Sequence, residues 1–248
     1  MADKLHKTKG IVLRTVKYGD TSVVVTIFTE LFGIQSYLVS GVRSSTKKGS
    51  GKANLFQPAA ILDLVVYHNE LKHLNRLKEF RWAHIYDTVF SDVLANAVAL
   101  YMVELLGKCL KQPESNPELF QFAEDCFLTL DKSRGTAMAN LPLFFAIHLS
   151  HFFGFRMTDN YSSTCTWLDL GEGSFAEEQP HHPHFTEGKM AFTVSELLKA
   201  QHPGDVSEMK LNHDFRRQLL FVLETYYALH LPDFGTLKTL PVLREVLG

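Results

Sequence analysis

The chain has 248 residues, of which 46% are hydrophobic, enough for a sizeable core in one large domain or two to three small ones. A net charge of −2 alone argues against a polyanion-binding protein, but residues 1–80 hold 12 Lys and Arg against 6 Asp and Glu, whereas the remainder holds 13 against 21. This asymmetry predicts that the N-terminal part meets a polyanion while the acidic remainder does other work.

Targeting and redox signals are few. The three cysteines, Cys109, Cys126 and Cys165, form no framework of pairs, which is typical of a reducing compartment. The N-terminus lacks the apolar segment of a signal peptide, and no apolar run approaches the roughly 18 residues of a membrane span. We therefore expect a cytoplasmic protein that does not bind membranes.

The first eighty residues predict a small β-barrel. Alternation places Val12, Arg14, Val16 and Tyr18 on one side of the first strand. The predicted strands are Ile11 to Tyr18, Val23 to Phe28, Ile34 to Val39, Ala59 to Tyr67 and Leu71 to Arg81. The last segment also has leucines at helical spacing, but we favour a strand. Five strands and one long loop match an OB-type barrel, with another small barrel as the alternative.

Helical periodicity begins after the barrel. Apolar residues at three- and four-residue spacing predict a helix from Phe90 to Cys109. Asn116 and Pro117 are expected at the N-cap and first position of the next helix. A third, very apolar helix is expected from Asn140 to Phe153, with Pro142 in its first turn and an end at Gly154. These helices predict a bundle.

The segment from Arg156 to Phe192 loses this periodicity and predicts an insert with short strands around Thr164 to Leu170 and Lys189 to Phe192. A capping box at Thr193 to Glu196 is expected to reopen helix, and Asn212 to cap a last long helix that ends at Pro232. A short segment, Leu237 to Leu247, follows. The predicted fold is α+β, with an OB-fold domain at 1–81, a helical domain at 82–155 and 193–248, and the insert at 156–192.

The stretch from Gly41 to Lys52 predicts a phosphate-binding loop. It carries Arg43, Lys47, Lys48 and Lys52, no acid and several glycines, so its backbone can follow a phosphate chain while its cations release counterions. The alternative is a solvated loop that keeps a sheet edge soluble. The cations expected to extend this track along the barrel are Arg14, Lys17 and Arg76. Tyr18 or Tyr37 would serve as base-stacking platforms, although a single aromatic is more often part of a core.

Motifs for catalysis or metal binding are weak. His181 and His184, with Cys165 upstream, are too few for a zinc site and favour a polar surface loop. No nucleophile elbow, nucleotide-binding P-loop (G-x-x-x-x-G-K-[ST]) or dinucleotide motif occurs, which favours a binding protein that is not an enzyme and needs no cofactor. A metal-dependent hydrolase using His181, His184 and Asp159 is an alternative, as is an OB-fold RNA-binding module of the translation machinery.

Several segments together resemble the RecO family of bacterial recombination mediators. They are IVLRTVKYGD at 11–20, the F-T-x-x-x-G run at 28–33, the G-x-R at 41–43, LFQPAAILDLVVYHN at 55–69, NPELF at 116–120 and HFFGF at 151–155. The resemblance implies a nucleoid-associated DNA-repair protein that binds single- and double-stranded DNA and anneals complementary strands. It also implies contacts with RecR and with the acidic tail of the single-strand binding protein, and help in loading RecA.

The resemblance also bears on individual residues. Arg14, Lys17 and Arg43 match the N-terminal pattern, and Lys47, Lys48 and Lys52 follow by charge and position in the loop. Many relatives carry two Cys-x-x-Cys pairs in the insert, whereas this chain keeps Cys165 alone near histidines. The insert is therefore expected to be zinc-finger-like but degenerate, with its shape held by packing instead of zinc.

Overall fold

The computed structural model describes residues 4–42, 52–69 and 71–247. The chain divides into two compact units. The first comprises Met1–Tyr86 and Leu110–Phe127, and the second comprises Asp87–Cys109 and Leu128–Gly248. No helix in the described ranges is long and apolar enough to cross a bilayer.

The first unit contains a closed five-stranded barrel with the strand order β1-β2-β3-β5-β4. The strands are β1 (Lys4–Tyr18), β2 (Ser22–Thr29), β3 (Gly33–Val39), β4 (Ile61–His68) and β5 (Asn75–Trp82). The long β1 pairs antiparallel with both β2 and β4, and a short parallel pairing of β3 with β5 closes the barrel. The OB-like prediction is confirmed, and residues from Asn75 onward form a strand and not the alternative helix.

Helices dominate the rest of the chain, together with a small antiparallel sheet of order β7-β6-β8. The helices are α1 (Val93–Cys109), α2 (Pro117–Lys132), α3 (Gly135–Leu149), α4 (Gly188–Lys199), α5 (His213–His230) and α6 (Thr239–Val246). The small sheet consists of β6 (Trp167–Asp169), β7 (Ser174–Ala176) and β8 (Phe185–Thr186). This sheet occupies the segment predicted as an insert.

A β-bulge in β1 decides which side chains face outward. The register with β2 shifts between Val12 and Arg14, so Leu13 is the extra residue. Val12 therefore pairs with the buried Ile27, while Arg14 pairs with the half-buried Thr26. The predicted shared face for Val12 and Arg14 is wrong, because simple alternation does not anticipate a bulge.

Capping and packing fix the start of α2 within the first unit. The Asn116 side chain accepts a hydrogen bond from the backbone nitrogen of Leu119 at 2.9 Å, which confirms the predicted N-cap. The Phe120 ring packs on Phe28 of the barrel, with 5.5 Å between ring centroids. One turn further along, the Glu124 carboxylate is buried and pairs with Lys9. Residues 110–127 thus belong to the barrel unit.

Three predictions for the second unit were wrong in detail. Helix α3 begins at Gly135, so Pro142 lies inside the helix and not in its first turn. The helix ends at Leu149 and is followed by a 3-10 turn, Ser150–Phe153, so the predicted end at Gly154, where φ is 82°, is the end of that turn. Lys189 to Phe192 is helical, because α4 starts at Gly188.

The predicted capping box at Thr193 is also absent, since Thr193 lies inside α4. Its hydroxyl donates to the Lys189 carbonyl one turn earlier, at 2.8 Å. The Ser195 hydroxyl donates to a carboxylate oxygen of Asp159 at 2.7 Å. Both hydroxyls therefore have partners at positions inside the helix, whereas the prediction placed Thr193 at the cap where the helix begins. Asn212 does cap α5, accepting from the Phe215 nitrogen at 2.9 Å.

Candidate nucleic-acid interface

Two of the predicted arginines lie on the outer surface of the barrel. Arg14 pairs with Thr26, Thr26 pairs with Ser36, and Arg76 pairs with Leu38 two residues further along β3. Cross-strand partners share a sheet face, so Arg14 and Arg76 both project outward across β1, β2, β3 and β5. Both are exposed and form no ion pair with another described residue.

The other predicted cations divide into three groups. Lys17 is exposed at the end of β1 but pairs with the buried Val23, so strand alternation turns it away from the Arg14 face. Arg43, Lys47 and Lys48 lie outside the described residues. Lys52 is exposed at the start of a 3-10 turn, Lys52–Phe56, and lines a groove.

This groove, which we name the β4 groove, runs over β4 between β1 and β5 and has a volume of about 750 Å³. Its charged lining residues are Lys7, Lys9, Lys52, Asp63, Lys78, Glu79 and Arg81. Register explains the cluster, since Lys9, Asp63 and Arg81 are cross-strand neighbours and Lys7 lies two residues before Lys9. The groove therefore carries five cations and two carboxylates.

Only some of these cations are neutralised. Lys9 Nζ lies 2.8 Å from Glu124 Oε1, and Arg81 pairs with Asp63 at 3.0 Å. The hydrogen bond to Glu124 raises the pKa of Lys9 above its ordinary value, so this lysine is held charged by its partner. Lys7, Lys52 and Lys78 form no ion pair with any other residue in the described ranges.

Sequence reasoning missed most of the groove, because the first strand was predicted to begin at Ile11. The available signal was the alternation of Lys7 and Lys9 with Thr8 and Gly10, which predicts an amphipathic extension of that strand. The structure places these lysines outside the barrel and buries Thr8. The alternating segment before Ile11 is therefore part of β1.

The two tyrosines predicted as stacking platforms differ in exposure. Tyr37 is 0% exposed, so its predicted role as a stacking platform is wrong. Burial raises the pKa of its hydroxyl, which has no hydrogen-bond partner among the described residues. Tyr18 is 56% exposed, as a platform requires. Tyr67, which the sequence did not single out, is 37% exposed and pairs in register with Arg76.

The histidines of the insert do not assemble a metal centre. Within the described ranges, no three His, Cys, Asp or Glu side chains converge as metal ligands. His182, which was not a candidate, lies 3.2 Å from Asp169 through Nε2 and Oδ2. Asp159 accepts from Ser195 and does not form such a cluster with His181 and His184.

The second unit contains a cleft of about 560 Å³ beside α4, which we name the α4 cleft. Its apolar lining includes Phe192, Met209 and Leu211, and Phe192 is 46% exposed. The cations that line it are Lys189, Lys199 and Lys210, and the acids are Glu196, Asp205 and Glu208. Glu196 pairs with Lys199, and Asp205 accepts backbone hydrogen bonds from Gln201 and His202.

Family models match both parts of the chain. The model described as "Recombination protein O N terminal" matches residues 1–86, and "Recombination protein O C terminal" matches residues 91–240. The first match spans the barrel strands. The second spans the helices and the small sheet up to the start of α6.

Similar proteins are found along almost the whole length. A protein named DNA repair protein RecO from Bacteroides fragilis is 32% identical over 244 residues, covering 98% of this chain and 99% of the relative. The protein of the same name from Phocaeicola vulgatus is 31% identical over 245 residues, covering 98% and 100%. That from Flavobacterium psychrophilum is 30% identical over 245 residues, covering 98% and 99%.

Proposed function

The chain belongs to the RecO family of DNA repair proteins, and on that premise we propose that it is a DNA-binding mediator of recombination and not an enzyme. In this proposal the outer surface of the barrel binds the sugar-phosphate backbone of single- and double-stranded DNA. The protein would work in the bacterial cytoplasm with the nucleoid, without a metal or nucleotide cofactor.

The observation that carries the proposal is the set of barrel cations that form no ion pair with any residue the structure describes. Lys7, Lys52 and Lys78 surround the β4 groove, and Arg14 and Arg76 project from the neighbouring face. Unpaired cations on a sheet release counterions from a phosphate chain when they bind it, which makes association favourable and salt-sensitive. Backbone contacts carry no sequence information, so binding would be largely independent of sequence.

Annealing follows from the same charge. Two complementary strands repel each other through their phosphates, and a cationic surface that neutralises both lets them approach. Base pairing then supplies the free energy, so the step needs no hydrolysis of a nucleotide. The proposal extends to loading RecA onto DNA that is coated by the single-strand binding protein, together with RecR.

For the single-strand binding protein we propose the α4 cleft as the site for its acidic, apolar C-terminal tail. A tail of that kind needs an apolar floor and cations at the rim. Phe192 and Leu211 supply the floor, and Lys189 and Lys210 supply cations, whereas two of the cleft's three acids are already engaged within the protein. Replacing Lys189 and Lys210 by alanine should weaken binding of a fluorescent tail peptide and leave binding of naked DNA unchanged.

Strand annealing tests the proposed function directly. Fluorescent complementary oligonucleotides coated with single-strand binding protein should anneal faster when the protein is added, and the variant Arg14→Ala/Arg76→Ala should lose most of this acceleration. Competition between matched DNA and RNA tests the RNA-binding alternative, which no observation on this chain favours. Absence of acceleration by the folded wild-type protein would refute the proposal.

A further inference from the structure

A second cavity of the barrel, which we name the histidine cleft, has chemistry that backbone binding does not use. It opens between the β2–β3 turn and the β4–β5 turn and has a volume of about 560 Å³. The residues that define it here are Phe32, Ile34, Gln35, Ser36, His68 and His73. The volume falls in the range of small-molecule sites and is sufficient for one nucleotide.

Aromatic rings form one wall of the cleft. The Phe32 and His68 rings stack with 3.9 Å between centroids and 15° between planes, and the His6 ring meets Phe32 edge-on at 5.1 Å. All three residues are half-buried, so part of the stack reaches the surface. A nucleobase binds to walls of this type because it can stack on a flat ring.

Polar groups complete the lining. Ser36 and Gln35 face the cleft from β3, and the Gln35 amide is held in place by donating to the Phe32 carbonyl at 2.9 Å. Lys72 and His73 stand at the opposite edge, in the β4–β5 turn. None of the described residues that line the cleft is Asp or Glu. The cleft thus offers hydrogen-bonding groups for a base edge, and a lysine and an imidazole for an adjacent phosphate.

Residues just before α2 pack behind this cleft. Gly33 has a φ of +61° and lies so close to the backbone of Glu114 that a methyl group there would clash. Ser115, in the same segment, donates its hydroxyl hydrogen to the Glu30 carbonyl at 3.1 Å. Both contacts are within the first unit, and they fix the β2–β3 turn that carries Phe32.

The cleft adjoins the proposed DNA-binding face. Thr26 and Ser36 both line it, and they are the two residues that follow Arg14 in the same cross-strand row. On its other side Lys72 is shared with a recess that contains Tyr67 and Arg76. A strand whose phosphates contact Arg14 and Arg76 therefore passes the mouth of the cleft.

We propose that the histidine cleft receives one unstacked nucleotide of a single DNA strand, with its base against the Phe32 and His68 wall and its phosphate near Lys72 and His73. This inference rests on the proposed function, because the strand is delivered by the backbone-binding face. A base in a duplex is paired and stacked and does not enter. The cleft thereby gives the protein a preference for single strands that charge alone does not provide.

Two variants alter the cleft and leave the proposed backbone-binding cations Arg14 and Arg76 in place. Ser36→Trp places a large ring in the cleft from a strand position that tolerates aromatics, and His73→Ala removes an imidazole from an exposed turn. The control His213→Ala removes an exposed histidine from the second unit. Binding of a labelled 30-nucleotide single strand and of a hairpin duplex of equal length is measured for each by fluorescence anisotropy.

We expect Ser36→Trp to weaken single-strand binding by about fivefold or more, the loss of one stacked base. His73→Ala, which removes a group near the phosphate, should weaken it by a smaller factor, and both variants should change duplex binding by less than about twofold. A strand with 2-aminopurine at its centre should change fluorescence with wild-type protein and less with Ser36→Trp. Equal losses on both DNAs, or no loss on either with both variants folded, would overturn the inference.

The comparison with Arg14→Ala/Arg76→Ala separates this failure from failure of the proposed function. If those arginine substitutions weaken binding to both DNAs while the cleft variants weaken neither, only the cleft assignment falls. If wild-type protein binds neither DNA, both the proposed function and the cleft assignment are refuted.

Discussion

The two units of the molecule use their polar side chains in opposite ways. On the barrel, Lys7, Lys52 and Lys78 lie exposed around the β4 groove and form no ion pair with described residues. In the second unit the buried Asp131 accepts hydrogen bonds from three backbone nitrogens, and the buried Arg216 donates to Asn140 at 2.7 Å. The difference teaches that these barrel lysines are available to a ligand, whereas the buried polar groups of the helical unit stabilise its own fold.

Asp131→Ala should cause the largest loss of stability, and it tests whether the buried polar groups of the helical unit stabilise the fold. The Asp131 carboxylate accepts from the backbone nitrogens of Asp87, Thr88 and Val89 at 3.1, 2.8 and 3.3 Å. Removing it takes the partner from three backbone donors, of which that of Val89 is buried, so the free energy of unfolding should fall by about 3 kcal/mol. Urea denaturation measures this.

The matched control is Asp125→Ala on the same helix, where the carboxylate is exposed and the expected change is within about 0.5 kcal/mol. DNA affinity of folded Asp131→Ala should equal that of wild type. A stability loss no larger than that of the control would show that the carboxylate is not needed to hold the segment from Asp87 to Val89.

Lys9→Met tests the difference between paired and unpaired lysines within the barrel, because Lys9 forms an ion pair that stabilises the fold. Its partner Glu124 has a side chain only 8% exposed, whereas Lys9 is 44% exposed, so screening reduces the energy of the pair. Leaving the carboxylate unpaired should lower the free energy of unfolding by about 1–2 kcal/mol. Lys7→Met, two residues earlier on the same face, should leave it unchanged.

The pH dependence of this pair has a definite sign. The hydrogen bond to Glu124 raises the pKa of Lys9 above its ordinary value of 10.5, so its contribution is fully present below pH 10.5 and is lost as pH rises through the folded pKa. The stability difference between wild type and Lys9→Met should therefore shrink above pH 10.5. A constant difference across that window would contradict the assignment.

The smallest effects come from one substitution made in both units. Tyr227 in the helical unit donates its hydroxyl hydrogen to the Ala146 carbonyl at 2.7 Å, so Tyr227→Phe should cost about 1 kcal/mol of unfolding free energy. The buried Tyr37 hydroxyl has no partner among the described residues, so Tyr37→Phe should be neutral or slightly stabilising. Thermal unfolding of both variants checks this. A greater loss of stability for Tyr37→Phe than for Tyr227→Phe would contradict the assignment of these two hydroxyls.

Much of the fold was predictable because its signals are local. Alternation found the five barrel strands, and Asn116, Gly154 and Asn212 marked helix ends through side-chain or left-handed caps. Signals that depend on partners far along the chain failed. The bulge at Leu13, the burial of Tyr37 and the extension of β1 to Lys4 depend on pairing with β2, β3 and β4.

The candidate site was likewise predictable only in its individual residues, because their grouping depends on strand pairing. Arg14 and Arg76 were predictable as exposed cations on strands. Their link through Thr26, Ser36 and Leu38 required the barrel register. The β4 groove and the histidine cleft are cross-strand features, because neighbours such as Lys9 and Arg81 lie far apart in sequence. Single-sequence periodicity assigns a face to each residue but not its neighbour on the next strand.

The most direct test of the account is the salt dependence of single-strand binding by Lys7→Ala/Lys52→Ala/Lys78→Ala. Lys132→Ala/Lys210→Ala/Lys238→Ala is the matched control, since it removes three exposed lysines from the second unit. Each phosphate contact contributes roughly 0.7 to the slope of log affinity against log salt, so the slope should fall by about 2 for the barrel variant and stay unchanged for the control. Equal slopes for the two variants would contradict the claim that the barrel surface binds the DNA backbone.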